Sequence, residues 1–294
     1  MKSKITGHIF ALITVFIWGV TYIATKILLQ GYNEIQVIVF RLIVAYVVLW
    51  IIHPKLNTPK SLKDELSFIM LAVFGVVVYF LFENAALKSS SAANVSIIIS
   101  FAPIATTIGV RIFSKSEKLN AAKIIGSFVA ISGVILVVFN GAFDIGFNPK
   151  GDLLAIGAML SWAIYSIISP CLLSRFDNFM LTRRSTFYSL ISMASITLIR
   201  DGVPDVSRLI SFDMGVSLLL LGVLGSGFCY IWWNSAIKKI GVVTTTNYLY
   251  LSPFITMLAG YFVLDEAITI WGVCGALLII GGIVVSNKTA KKHS

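Results

Sequence analysis

The stretch Asn84-Ala85-Ala86-Leu87-Lys88 recurs 150 residues later as Asn234-Ser235-Ala236-Ile237-Lys238, and this recurrence decides the fold. Other landmarks recur in the same order at slowly drifting offsets: Gly7 with Gly151, Trp18 with Trp162, Pro103 with Pro253, Glu117 with Glu266, Gly126 with Gly275 and Gly133 with Gly282. Landmarks in a constant order indicate a duplicated segment with short insertions. The sequence therefore predicts two related halves, residues 1–140 and 150–287, and a basic tail at 288–294.

The composition indicates that both halves lie in a membrane. Of the 294 residues, 57% are hydrophobic and 12% are charged, whereas about a quarter of an average soluble domain is charged. A helix needs roughly 20 apolar residues to cross about 30 Å of hydrocarbon, and lipid offers no partner for open backbone groups. The predicted spans are residues 5–29, 35–52, 66–87, 92–113 and 119–139, then 152–173, 180–199, 214–236, 242–264 and 269–286.

The number of spans and the charges set the orientation. Five spans in each half is an odd number, so the second half must run upside down relative to the first. With a cytoplasmic amino terminus, 17 of the 23 Lys and Arg residues fall on the cytoplasmic side and 4 on the other. Cytoplasmic loops carry an excess of these residues, so we expect both termini in the cytoplasm. This distribution explains the net charge of +10, so no nucleic-acid partner is expected. It predicts only a modest attraction to the headgroups of anionic lipids.

The inverted duplication predicts a secondary transporter. Two similar halves of opposite orientation can exchange shapes, and the exchange opens a central site first to one side of the membrane and then to the other. This all-α fold of ten transmembrane helices in two inverted five-helix repeats is the main link from the sequence to a function.

The landmarks also resemble a known family. Trp18-Gly19, Tyr22 and Lys26 resemble the opening of an EamA domain, as do the later landmarks of each half. These later landmarks are Arg41, Ala85-Ala86-Leu87, Pro103, Glu117 and Gly126 to Gly133, and then Trp162, Ala236, Pro253, Glu266 and Gly275 to Gly282. The resemblance points to the ten-helix, EamA-type branch of the drug/metabolite transporter superfamily. It implies export of amino acids, other small metabolites or toxic compounds across a bacterial inner membrane. Glu83 departs from the family pattern, which usually has an aromatic or small residue there.

Charged residues inside apolar spans are the first candidates for the transport site, because each costs on the order of 2.5–3.5 kcal/mol at a helix centre. Lys26, Arg41 and Glu83 all fall in the outer half of the first repeat. A buried carboxylate suits proton exchange, so Glu83 is the candidate coupling residue, balanced by Arg41 or Lys26. The alternatives are a fixed structural ion pair, a Glu83 side chain that reaches the outer interface and, for Lys26, a side chain that anchors the helix at the interface.

Aromatic and amide residues near the middle of the spans complete the predicted substrate site. Flat rings with one hydrogen-bonding group each suit a small amphipathic ligand, and an amide in hydrocarbon needs a partner. The other predicted substrate-binding residues are Trp18, Tyr22, Asn84, Trp162, Tyr165, Trp233, Asn247 and Tyr248. Packing between helices is the alternative for each of them.

Several of the recurring residues have predicted roles in the shape, packing or starts of the helices. Pro103 and Pro253 would kink the fourth and ninth spans and serve as hinges, or as static bends. The recurring glycines Gly126, Gly133, Gly275 and Gly282 allow close helix approach. Glu117 and Glu266 suit the start of a helix, where a carboxylate complements the helix dipole.

The sequence favours a transporter over an enzyme. His8, His53 and His293 are scattered, and none has metal-ligand spacing on one helix, so no cofactor or metal is expected. The leading prediction is a secondary transporter that exports small metabolites by alternating access, with amino acids or related compounds favoured and proton coupling left open. The alternatives are an uncoupled uniporter or channel-like facilitator, a transporter of amines, nucleosides or drugs, and a membrane scaffold. Either a monomer or a homodimer fits the sequence.

Overall fold

The computed structural model describes residues 2–55, 61–113, 121–139, 148–264 and 270–288, and helices are the only regular secondary structure in these ranges. The first half contributes α1 (Lys2–Leu29), α2 (Glu34–Ile52), α3 (Leu62–Ser89), α4 (Ala92–Ile99 and Ala102–Phe113) and α5 (Ala121–Phe139). The second contributes α6 (Pro149–Leu173), α7 (Asn178–Asp201), α8 (Phe212–Ile240), α9 (Val242–Thr246, Asn247–Leu251 and Ser252–Leu264) and α10 (Ile270–Lys288). The predicted all-helical class is confirmed. Glu117, Glu266 and the tail after Lys288 lie outside the described residues.

Six helices in the described ranges are long and apolar enough to cross a membrane, which makes the chain a multi-pass membrane protein. These six are Ser3–Leu29, Glu34–Ile52, Leu62–Ser89, Asn94–Phe113, Pro149–Leu173 and Phe212–Ile240. Two apolar helices are shorter, Ala121–Val137 and Ile270–Ser286. The predicted span 180–199 coincides with α7, which is less apolar because it carries Arg183, Arg184 and many hydroxyl groups.

Local hydrogen bonds fix where several helices begin. Asn33 caps α2 in a capping box, since its side chain accepts from the backbone of Gln36 and the Gln36 side chain accepts from the Asn33 N–H. Ser61 caps α3, and Asp177 caps α7. Asn, Ser and Asp are the residue types preferred at the first position of a helix, so the sequence itself marks the starts of these helices.

Helices α3 and α8 each contain a π-helical segment, Val73–Val77 and Leu220–Phe228. Gly75 and Gly225, which lie 150 residues apart, occupy these segments. A Cβ atom on Gly75 would lie 2.3 Å from the Tyr165 ring of α6, and one on Gly225 would lie 3.1 Å from Thr21 of α1. The absence of a side chain at Gly75 therefore lets α6 pack directly on the π-helical turn. Such turns are frequent at functional sites.

Helices α2 and α7, the second helix of each half, run in opposite directions. The start of α2 meets the end of α7, where Asn33 donates to Asp201 over 2.8 Å. The start of α7 also contacts the end of α2, where Arg183 donates to the His53 carbonyl. Asp64 at the start of α3 lies 2.6 Å from Arg175, just past the end of α6. We name the face that holds the starts of α1, α3 and α7 the amino-terminal face, and the other one the opposite face.

Helices α5 and α10 pack against each other through the four recurring glycines. A Cβ atom on Gly133 would lie 2.5 Å from the carbonyl oxygen of Gly275, and one on Gly282 would lie 2.5 Å from that of Gly126. The two backbones are therefore in direct contact, and the predicted packing role of these glycines is confirmed. Gly126 contacts Gly282, and Gly133 contacts Gly275, whereas the duplication pairs Gly126 with Gly275 and Gly133 with Gly282. This crossed arrangement is expected for two helices related by a two-fold axis.

We expect Gly282→Ala to destabilise the protein, while Gly281→Ala should not. The added methyl at Gly282 collides with rigid backbone atoms, whereas a Cβ at Gly281 meets nothing within 4 Å. Overpacking costs about 1–3 kcal/mol, and alanine in an open helical position gains up to about 1 kcal/mol over glycine. The thermal unfolding midpoints of the two purified variants in detergent check this prediction, and equal midpoints would contradict it.

Candidate substrate site

A small cavity lies between the two halves. Helices α1, α2, α3 and α4 line it from the first half, and α6, α8 and α9 from the second. Its lining residues are Trp18, Thr21, Tyr22, Arg41, Tyr79, Phe80, Glu83, Ile99, Trp162, Tyr230, Leu249 and Ser252. It has about 20 Å³ of free space, which is room for one or two water molecules. The cavity is therefore contracted in this conformation and too small to hold an amino acid.

Arg41 forms the cationic wall of the cavity. Its side chain is 1% exposed, and Nε donates to Ser226 Oγ over 2.8 Å. The guanidinium carbon lies 3.9 Å from the centre of the Phe80 ring, a cation–π geometry that partly compensates for lost hydration. Ser226 lies in the π-helical segment of α8, so that segment helps to orient the charge.

Glu83 forms the anionic wall. It is 6% exposed, and Tyr79 donates its hydroxyl to Glu83 Oε1 over 2.7 Å. The two residues are four positions apart on α3 and therefore share one face of the helix. This bond leaves the second carboxylate oxygen available to another donor.

The two charges do not neutralise each other directly. Among the described residues, the ion pairs within 4.0 Å do not include one between Arg41 and Glu83. Their hydrogen-bond partners, Ser226 and Tyr79, are neutral. The two side chains attract each other across the cavity without direct contact, and buried charges in a membrane protein are expensive and mark functional sites. Lys26, which was expected beside them, does not line the cavity.

Aromatic rings form the rest of the walls. Trp18 and Trp162 meet edge to face with ring centres 5.0 Å apart. Trp18 Nε1 donates to the Gly225 carbonyl over 3.0 Å, and the Tyr230 hydroxyl donates to the Gly75 carbonyl over 2.7 Å. Each half thus binds the π-helical segment of the other through a cavity-lining ring. Trp162 Nε1 is buried without an acceptor in the described part of the chain.

Five of the ten predicted substrate-binding residues line the cavity: Trp18, Tyr22, Arg41, Glu83 and Trp162. The other five lie outside its lining. Asn84 donates to the Glu34 carbonyl, Tyr165 donates to Asn234, Asn247 donates to Ser286, Tyr248 bonds to His8, and Trp233 packs behind Trp18 with ring centres 5.0 Å apart. These contacts are those of helix packing.

Four polar residues of the cavity were not predicted from the sequence: Thr21, Tyr79, Tyr230 and Ser252. Tyr79 was detectable, because it precedes Glu83 by one helical turn. Tyr230 was detectable from the duplication, since it lies 150 residues after Phe80, another lining residue. Ser252 directly precedes Pro253 and carries no comparable signal.

The two predicted hinge prolines follow breaks in their helices beside the cavity. α4 turns at Ser100 and Phe101 before Pro103, and α9 passes through the 3₁₀ segment Asn247–Leu251 before Pro253. A proline has no N–H for the carbonyl four residues earlier. Those carbonyls belong to Ile99 and Leu249, and both residues line the cavity. Their role as hinges stays a prediction.

A charged cavity between apolar, membrane-length helices indicates a membrane transporter as the class of protein. The family model of the EamA-like transporter family matches residues 5–139 and again residues 149–288. The chain therefore belongs to that family, which is part of the drug/metabolite transporter superfamily.

The similarity to known proteins extends over nearly the whole chain. A protein of Archaeoglobus fulgidus described as an uncharacterized transporter is 27% identical over 298 residues, which cover 100% of both chains. A probable terminal-alkyne amino-acid exporter of Streptantibioticus cattleyicolor is 24% identical and covers 97% of this chain and 95% of its own. One solved crystal structure superimposes with a TM-score of 0.77 at 18% identity, over 97% of this chain and 98% of that one. This last likeness concerns the fold alone.

Proposed function

We propose that the protein exports a small zwitterionic metabolite, an amino acid or a close relative, from the cytoplasm by alternating access. The single observation that carries this proposal is the pair of separate buried charges in one cavity. A ligand carboxylate suits Arg41, and its ammonium group suits Glu83, so one zwitterion compensates for both charges at once. The amino-acid exporter named among the relatives supports the same substrate class.

The aromatic walls suit the rest of such a ligand. Trp18, Trp162 and Tyr230 offer apolar ring faces, and Trp162 Nε1 offers a donor that has no acceptor among the described residues. Small-molecule sites are mostly apolar with a few placed polar groups. A neutral sugar or nucleoside would bring neither Arg41 nor Glu83 a hydrogen-bonded partner of opposite charge, so we favour a zwitterion over these alternatives.

The architecture we propose is ten transmembrane helices in two inverted repeats, with the amino-terminal face in the cytoplasm of a bacterial inner membrane. The two separate matches of one family model support the duplication. The antiparallel contact of the Gly126 and Gly133 helix with the Gly275 and Gly282 helix supports a two-fold axis in the membrane plane. The excess of Lys and Arg supports the orientation.

Glu83 gives this site a means of coupling to protons. A proton and a substrate ammonium group compete for the same carboxylate, so Glu83 carries one or the other. An exchanger needs this exclusivity, because the site returns loaded with a proton after it releases the substrate. The proposal is therefore proton-coupled antiport, in which protons move inward as the metabolite moves outward.

Flux in proteoliposomes tests this function. The purified protein is reconstituted, radiolabelled amino acids are offered outside, and a proton gradient of either direction is imposed. We expect saturable uptake above equilibrium when the lumen is acidic, and no accumulation without a gradient. Saturable flux that only equilibrates, whatever the gradient, would favour the uncoupled uniporter. No saturable flux for any amino acid, amine, nucleoside or sugar would contradict the proposal.

A further inference from the structure

Polar contacts join the two halves at both faces of the bundle, outside the cavity. On the amino-terminal face, the carboxylates of α3 reach residues at the end of α6 and on α7. Asp64 lies 2.6 Å from Arg175, and Glu65 lies 2.8 Å from Arg184. The hydroxyl of Tyr188 also donates to Glu65. We name these five residues the amino-terminal clasp.

On the opposite face, amide groups of the first half donate to carboxylates of the second. Asn94 of α4 lies 2.5 Å from Asp152 of α6, and Asn33 lies 2.8 Å from Asp201 at the end of α7. We name these four residues the opposite clasp. Unlike the first clasp, it contains no ion pair between the halves among the described residues.

We infer that the two clasps are the gates of the transport cycle, one on each side of the contracted cavity. Every bond in them joins one half to the other, so any rocking that opens a face must break the clasp on that face. Both clasps are closed in this structure, which agrees with the small free space of the cavity. This inference rests on the proposed alternating access, and it adds which contacts hold each gate shut.

The inference predicts opposite effects for the two clasps. Breaking a contact made only in the closed state shifts the population toward the open state. Loss of the amino-terminal clasp should therefore open the cavity to the cytoplasm, and loss of the opposite clasp should open it to the outside. Glu34 and Lys88 offer a matched control, since their ion pair of 3.0 Å lies within the first half.

A single cysteine in the cavity reports which gate is open. Ser252 lines the cavity and is 3% exposed, so Ser252→Cys is a nearly isosteric probe. It is introduced after the native cysteines have been replaced by alanine; these are Cys171, Cys229 and Cys274. A charged, membrane-impermeant thiol reagent is added to intact cells for the outer side and to inside-out vesicles for the cytoplasmic side. Labelling after denaturation in detergent gives the total amount of protein.

The amino-terminal clasp is broken by Asp64→Asn with Glu65→Gln. We expect the labelling rate from the cytoplasmic side to rise about tenfold, since two partly exposed ion pairs are lost, and the outer rate not to rise. Asp64→Arg alone should also raise the cytoplasmic labelling rate, because it breaks the ion pair with Arg175. The charge swap Asp64→Arg with Arg175→Asp restores an ion pair and should return the rate toward that of the probe alone. This rescue separates an opened gate from a misfolded protein.

The opposite clasp is broken by Asn94→Ala with Asp201→Ala, and here we expect the rate from the outer side to rise several-fold. Glu34→Gln should change neither rate. Unchanged rates for both clasp variants, a rise on the same side for both, or an equal rise in Glu34→Gln would overturn the inference. Labelling needs no substrate, so shifted rates without amino-acid flux would contradict the proposed function alone.

Discussion

Glu83→Gln should abolish the accumulation of substrate driven by a proton gradient, down to the level seen without a gradient. Glutamine has nearly the same shape and still accepts a hydrogen bond from Tyr79, but it cannot carry a proton. Exchange of labelled for unlabelled substrate needs no protonation, so it should persist with a higher KM. The two assays on the same proteoliposomes measure these effects.

The control for this variant is Glu34→Gln. Glu34 is also a glutamate of the first half, but it lies at the start of α2 and pairs with Lys88 outside the cavity. We expect its gradient-driven accumulation to match that of the unmodified protein. If Glu83→Gln still concentrated substrate against its gradient, Glu83 would not be the coupling residue.

Arg41→Gln should raise the KM for a zwitterionic substrate by about 10- to 150-fold, because a hydrogen bond to a charged group contributes roughly 1.5–3 kcal/mol. The physical reason is loss of the only cation that lines the cavity among the described residues. Arg41→Lys should have an intermediate effect, since it keeps the charge but loses the planar geometry that binds carboxylates through two parallel bonds.

A substrate analogue separates a binding role of Arg41 from a structural one. The amide of the same amino acid lacks the carboxylate, so it should bind the unmodified protein weakly. Arg41→Gln should then transport the amide and the amino acid with similar KM values. If the variant kept a strong preference for the free carboxylate, the assignment of Arg41 to that group would be wrong.

The charged part of the site was predictable from the sequence, because Arg41 and Glu83 interrupt apolar runs where a charge is expensive. The packing role of the recurring glycines was predictable from their positions in the duplication. Gly126, Gly133 and their counterparts recur at helical spacing, and the structure shows backbone contact at these positions.

The face that each aromatic residue presents was harder to predict. A π-helical segment adds a residue to a turn and rotates every later side chain around the helix axis. Trp233 follows such a segment in α8, and it packs behind Trp18 while Tyr230 lines the cavity. Tyr248 lies within the 3₁₀ segment of α9, whose tighter turn also departs from the α-helical spacing, and its hydroxyl bonds to His8.

The clasps were not predictable, because their charges lie at the ends of helices. Asp64 and Arg175 flank apolar runs and read as ordinary charges of a cytoplasmic surface. Their pairing depends on where the start of α3 and the end of α6 meet in space. A single sequence without an explicit packing of the two halves contains no such information.

The central claim is that Arg41 and Glu83 together select a zwitterion, and ligand-dependent thermal stability tests it most directly. The purified protein is heated with each amino acid, with the amine lacking its carboxylate, with the acid lacking its amino group, and with nucleosides, choline-like amines and sugars. We predict that one class of amino acid raises the melting temperature by about 5 °C at a hundredfold excess over Kd. Its two singly charged relatives should not, and Arg41→Gln should lose the shift. Equal stabilisation by a singly charged relative, or stabilisation only by a nucleoside or sugar, would contradict the account.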